Sequence, residues 1–176
     1  MTEPKLLGKD PSRRLFLRIV FGACFVVIAI AIFLFSSQSA AESSRTSGPF
    51  SSLLFSLYKS IFGDVAPEDF ETVRGTMTFI VRKVAHFAVY AALGASASLF
   101  SLTFKWRGRL PSAFLVCFAY AVSDELHQYF VPGRAMRSYD IAIDSLGIIS
   151  GITIAYFCVK TLSLAKYGKL NYNKNV

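Results

Sequence analysis

Residues 16–35 read FLRIVFGACFVVIAIAIFLF, a run of Phe, Ile, Val, Leu and Ala with one charge, Arg18, near its start. A helix rises about 1.5 Å per residue, so about 20 apolar residues cross the hydrocarbon core of a bilayer. This stretch is long enough to do so. The competing reading is a secretory signal, because Ser39-Ala40-Ala41 offers a small-residue cleavage site. The apolar region of a signal is shorter, roughly 7–15 residues. A retained membrane helix is therefore expected over 16–35. Residues 1–15 form a basic leader with Lys5, Lys9, Arg13 and Arg14. Cations flanking a span favour the cytoplasmic side, which places the N-terminus there.

Composition supports the same reading for the rest of the chain. Of 176 residues, 53% are hydrophobic and 17% charged, and the mean hydropathy is +0.47. A soluble domain needs a larger polar coat, so an integral membrane protein is expected. The net charge of +8 would suit nucleic acid if the basic residues shared one hydrophilic face. They stand instead between apolar runs, where membrane topology accounts for them, and no nucleic-acid partner is expected. Cys24, Cys117 and Cys158 each fall inside an apolar run without metal-ligand spacing. They read as lipid-facing or packing residues.

Downstream of the first span, Ser36–Pro49 is serine-rich and reads as loop. Phe50–Phe62 has apolar residues at 50, 54, 57, 58 and 61, a helical stripe that Gly63 ends. It is too short to span and reads as an amphipathic helix on the outer side, inside an outer loop over 36–81. Pro67-Glu68-Asp69 reads as a first helical turn, with its acids at the positive end of the dipole. Further spans are expected at about 84–104, 110–130 and 141–160. Lys105, Arg107 and Arg109 form a basic turn, and residues 165–176 form a basic tail with Lys166, Lys169 and Lys174. Both are expected in the cytoplasm. The expected architecture is all-α and polytopic: four transmembrane helices in a domain over 16–164, a short amphipathic segment outside, and both termini inside.

This topology gathers polar residues at the outer ends of the spans. Lys83, His86, Tyr90 and Gly94 share one helical face, with Arg82 beside them. Asp124, Glu125, His127 and Gln128 close the next span, and Pro132-Gly133 turns the chain. Arg134 and Arg137 follow. Asp140 and Asp144 then share a face with Gly147 and Gly151, small residues that let a neighbouring backbone come close. Ionisable groups beside hydrocarbon are costly and mark function by default. The four cations Arg82, Lys83, Arg134 and Arg137 match the four carboxylates in number. One reading is thus an internally neutral network that clamps the helices without any ligand.

The other reading is a site. His86 can exchange a proton near neutral pH, and Asp124 or Glu125 can orient it, so these three are the catalytic candidates. Arg134 suits a bidentate grip on phosphate or carboxylate. Arg82, Lys83, Tyr90, His127, Gln128, Arg137, Asp140 and Asp144 complete the ligand-binding set. A metal site drawn from His86, His127, Asp124 and Glu125 lacks the spacing of known motifs, and no metal or cofactor is expected. Ion or proton transport is disfavoured, because no charge follows Asp144 until Lys160.

Three motifs carry a family resemblance: Arg82-Lys83-x-x-His86-x-x-x-Tyr90, then Asp124-Glu125-x-His127-Gln128-x-Phe130-x-Pro132-Gly133-Arg134, then Asp140-x-x-x-Asp144-x-x-Gly147. In this order they resemble the VanZ-like membrane proteins, as does Phe35-Ser36-Ser37-Gln38 at the end of the first span. The resemblance runs from the first span to Gly151. Many members carry asparagine where this chain has Asp144. The family takes its name from a protein associated with low-level resistance to the glycopeptide teicoplanin. The resemblance implies a bacterial cytoplasmic membrane and work on the cell envelope, including lowered susceptibility to glycopeptide or lipoglycopeptide antibiotics. The partners it suggests are membrane lipids and a lipid-linked envelope precursor or a lipoglycopeptide. A binder or remodeller of an anionic envelope component is one form of that role. A membrane enzyme acting on a lipid-linked phosphate or glycan is another.

Overall fold

The computed structural model describes residues 10–172, with side chains through residue 165. Most of the basic leader and the side chains of the basic tail lie outside the described residues. Five helices and no strand make up the described chain: α1 (Pro11–Ser36), α2 (Ala40–Phe62), α3 (Phe70–Leu102), α4 (Arg109–Tyr129) and α5 (Ser138–Tyr172). Asp10 caps α1 by accepting from the Ser12 amide at 3.0 Å, with Pro11 in the first turn, where no intrahelical donor is lost. Among the described residues, three helices are long and apolar enough to cross a membrane: Pro11–Ser36, Phe70–Leu102 and Ser138–Ala165. Many of their large apolar side chains, among them Val27, Phe33, Ile149 and Phe157, point outward.

The stretch 36–81 is more helical than its sequence suggests. α2 starts at Ala40 rather than Phe50, because Ser39 and Glu42 form a reciprocal capping box. Ser39-Ala40-Ala41, which resembles a cleavage site in sequence, is here a helix start. The helix runs through Pro49, and serine hydroxyls along it, such as those of Ser44, Ser47 and Ser51, donate to the carbonyl four residues back. α3 starts at Phe70 and has 33 residues. That exceeds the ~20 needed to cross a bilayer, so its first turns extend beyond residues 84–104.

α3 is the central helix and packs against all four others, most extensively against α5. Those two run parallel: Lys83 meets Asp140, His86 meets Asp144, and Ala91 meets Gly151. The crossing is close because of glycine. A Cβ on Gly151 would stand 1.9 Å from the Ala91 carbonyl oxygen, and one on Gly147 would stand 2.5 Å from that of Phe87. Gly94 faces the Ile148 carbonyl oxygen in the same way, at 2.5 Å. The expected small-residue face is thus the α3–α5 seam. At the far end of α3, Arg18 donates to the Thr103 hydroxyl and carbonyl at 3.3 and 3.2 Å. A cation is favoured at that negative helix terminus. Cys117 sits in the core with Tyr90, Leu93 and Ile148, while Cys24 and Cys158 are exposed.

Candidate functional site

The polar ends of α1, α3, α4 and α5 meet at one end of the bundle. Asp124 is the hub. Its Oδ2 accepts from Ser36, Tyr90 and Gln128, each at 3.0 Å, and the residue is 5% exposed. The α4 spacing of 124 and 128 puts Gln128 one turn on, so its amide nitrogen reaches Asp124 while its oxygen accepts from Arg134 Nη1 at 2.9 Å. Arg134 Nη2 donates to the Phe35 carbonyl at 3.3 Å, and its Nε is buried without a partner. A turn delivers this side chain: Gly133 has φ 76°, and the Arg134 amide closes onto the Val131 carbonyl at 3.1 Å. Proline followed by a left-handed glycine is the type II pattern.

A second set lies along the α3–α5 seam. Lys83 and Asp140 form a largely buried ion pair, with the ammonium also over the Tyr139 ring. One turn deeper, His86 Nδ1 faces Asp144 Oδ1 at 3.4 Å. Neither Asp144 oxygen has a hydrogen-bond partner, although the residue is fully buried. Glu125, also fully buried, accepts from the Arg137 amide at 3.0 Å through Oε2 and leaves Oε1 unpartnered. The carboxylate beside His86 is therefore Asp144, whereas Asp124 serves Tyr90 and Glu125 serves the 137 backbone. His127 stands apart, stacked on Phe33 at 4.9 Å with its Nε2 3.1 Å from Ser37 Oγ. Arg137 turns outward, with Nη1 donating to the Tyr139 hydroxyl at 2.5 Å.

Two cavities open onto this end. The larger, of 630 Å3, lies between α2, the first turns of α3 and the 133–137 segment. Arg74, Arg82, Lys83, Arg134 and Arg137 line it, against Glu71 and Asp140. The smaller, of 240 Å3, lies between α1, α2 and α3; Ile32, Phe35, Phe50, Val81, Val89 and the ring of His86 are among its walls. Arg82 and Arg134 belong to both. Among the described residues Arg82 makes no hydrogen bond or ion pair, and Arg134 is held only by neutral oxygens. Burial draws the Arg134 guanidinium below its ordinary pKa, and the neighbouring Arg82 charge acts in the same direction. A guanidinium nonetheless stays protonated in proteins. Two charged guanidinium groups at a shared cavity wall supply the charge and the paired donors that an anion requires.

Sequence reasoning missed the α2 wall of this cleft. Ser44, Gly48, Ser51, Phe55 and Ser52 line it at helical spacing, opposite Arg74 and Thr78 of α3. The signal was present as serines three and four apart, in a segment that reads as loop by composition. On its other face α2 turns Phe50, Leu53, Leu57 and Ile61 outward, at 65%, 60%, 52% and 73% exposure. Residues 21–159 match the VanZ/LLP1 family. No curated protein and no solved structure matches the chain.

Proposed function

The chain belongs to the VanZ/LLP1 family, and from that membership and its cation-lined cleft we propose a bacterial cytoplasmic-membrane protein that engages an anionic component of the cell envelope. The observation that carries the reading is Arg82, a half-buried cation without a partner among the described residues, lining the cleft with Arg134. An anion between them relieves their mutual repulsion and completes their hydrogen bonding. The family's association with teicoplanin resistance makes glycopeptide susceptibility the natural readout.

The topology proposed is four crossings with both termini cytoplasmic. α3 and α5 run parallel, so the chain must return between them, and α4 supplies the return. The basic 105–109 turn is then cytoplasmic, and the cleft faces outward. α2 lies along the outer surface, with its exposed apolar stripe against lipid and its serine face on the cleft.

A second reading, a membrane enzyme, is supported by His86. Its ring borders the apolar cavity while its Nδ1 faces the buried Asp144, an arrangement that suits a general base. One experiment addresses both readings: glycopeptide susceptibility of cells carrying Arg134→Lys or His86→Gln, with membrane abundance measured in parallel. Lysine keeps the charge but loses the fork, so Arg134→Lys is expected to lose protection at normal abundance. Full protection by that variant would sink the anion clamp. Loss in His86→Gln with unchanged ligand binding would favour the enzyme.

A further inference from the structure

The two cavities differ in character and meet at the same pair of arginines. Above Arg82 and Arg134 the walls mix hydroxyls and charges, Ser51, Ser52, Thr78 and Glu71, with Phe55, Phe70 and Phe79. Below them the walls are Ile32, Phe35, Phe50, Val81 and Val89. Most hydroxyls at the lower cavity bond within the protein: Ser36 donates to Asp124, Ser47 to the Ser43 carbonyl, and Thr46 to Gln38 and the Glu42 carbonyl. That lower space has a mostly apolar lining with cations at one end. Its 240 Å3 is below the ~300–1,000 Å3 usual for a complete small-molecule site, so it suits part of a ligand.

Resting on the anion reading above, we propose that the ligand is a single amphiphile: a phosphate-bearing lipid with its phosphate at Arg82 and Arg134, one hydrocarbon segment in the lower cavity, and a hydroxyl-rich headgroup in the cleft. The order of surfaces along the site, apolar then cationic then hydroxyl-lined, is the order of groups in such a molecule. A free phosphate or a soluble sugar phosphate leaves the lower cavity unused. A neutral lipid leaves the two guanidinium groups unmatched. An arginine fork donates two parallel hydrogen bonds to a pair of phosphate oxygens, and an apolar cavity accepts a hydrocarbon segment without desolvating any polar group.

The test uses the full chain in phosphatidylcholine nanodiscs, with empty discs subtracted to remove simple partitioning. The probes are geranylgeranyl phosphate, the short water-soluble isopentenyl phosphate, and the uncharged alcohol geranylgeraniol. The long phosphate is expected to bind about tenfold or more tightly than either of the others. Val89→Trp, which fills the lower cavity, should abolish the gain from the long chain and leave isopentenyl phosphate binding unchanged. Ser47→Leu, from the α2 wall, provides the same test should Val89→Trp fail to fold. Arg82→Gln should weaken both phosphates by about tenfold or more. A long phosphate no tighter than the short one, or a gain that survives both cavity-filling variants, would overturn the amphiphile while leaving the anion reading intact. Alcohol and phosphate binding equally would overturn the anion reading, and the amphiphile with it.

Discussion

Asp140 and Asp144 lie one turn apart on α5 and have opposite circumstances. Asp140 is paired with Lys83, whereas Asp144 has no hydrogen bond on either oxygen and faces His86 Nδ1 at 3.4 Å. Breaking a buried pair leaves an uncompensated charge. Asp140→Asn is accordingly expected to lower stability by about 1–3 kcal/mol. Asp144→Asn removes a buried carboxylate that has no full partner, so it should leave stability equal or higher. Thermal unfolding of both variants in one detergent checks this. A larger loss at Asp144 than at Asp140 would return Asp144 to the clamping network that its spacing from Asp140 suggests. An unsatisfied buried polar group in a native fold asks for an explanation, and functional demand is the usual one.

At the scale of elements, the α3–α5 seam depends on three glycines whose hydrogens touch backbone. Gly151→Ala places a methyl group against the Ala91 carbonyl, an atom that cannot rotate away. A loss of about 3 kcal/mol is expected, at the upper end of overpacking costs. Gly48→Ala in α2, with nothing within 4 Å of the added carbon, should be neutral or gain about 0.5–1 kcal/mol from helix propensity. Apparent melting points of the two variants test the contrast. The start of α2 adds a pH dependence. The Ser39 hydroxyl and amide hold the Glu42 carboxyl below its ordinary pKa of 4.5. A depressed folded value means the cap contributes fully above 4.5 and is lost as pH falls through the lowered value. Protection factors at residues 40–43, taken against the intrinsic exchange rate at each pH, should fall on acidification through that range, and Glu42→Gln should flatten the response.

For the whole molecule, parallel packing of α3 and α5 ties topology to function, because it brings every member of the polar cluster to one end. With that end outward, the α3–α4 turn at 105–109 must lie inside. In a chain lacking Cys24, Cys117 and Cys158, a single cysteine at position 107 should resist an impermeant thiol reagent in intact cells. One at position 66, between α2 and α3, should react. Labelling at 107 from outside would invert the cleft and remove the envelope reading.

Much of this arrangement is written locally. The apolar runs 16–35 and 141–160, the Pro132-Gly133 turn and the shared faces of Lys83, His86 and Gly94 and of Asp140, Asp144 and Gly147 follow from length, turn chemistry and helical period. The α2 start was also local, in Ser39 and Glu42, but serine-rich composition concealed it. Which carboxylate meets which partner was decided only in three dimensions. On sequence alone Asp124 and Glu125 are the companions expected for His86. The glycine seam sets the α3–α5 register and delivers Asp144 to His86, leaving Asp124 for Tyr90 and Ser36. The cleft is likewise tertiary, since the residues joining its walls, from Ser44 to Asp140, are far apart in the chain. Period and length act within one helix; partners and cavities depend on the distance and rotation between helices, which packing sets.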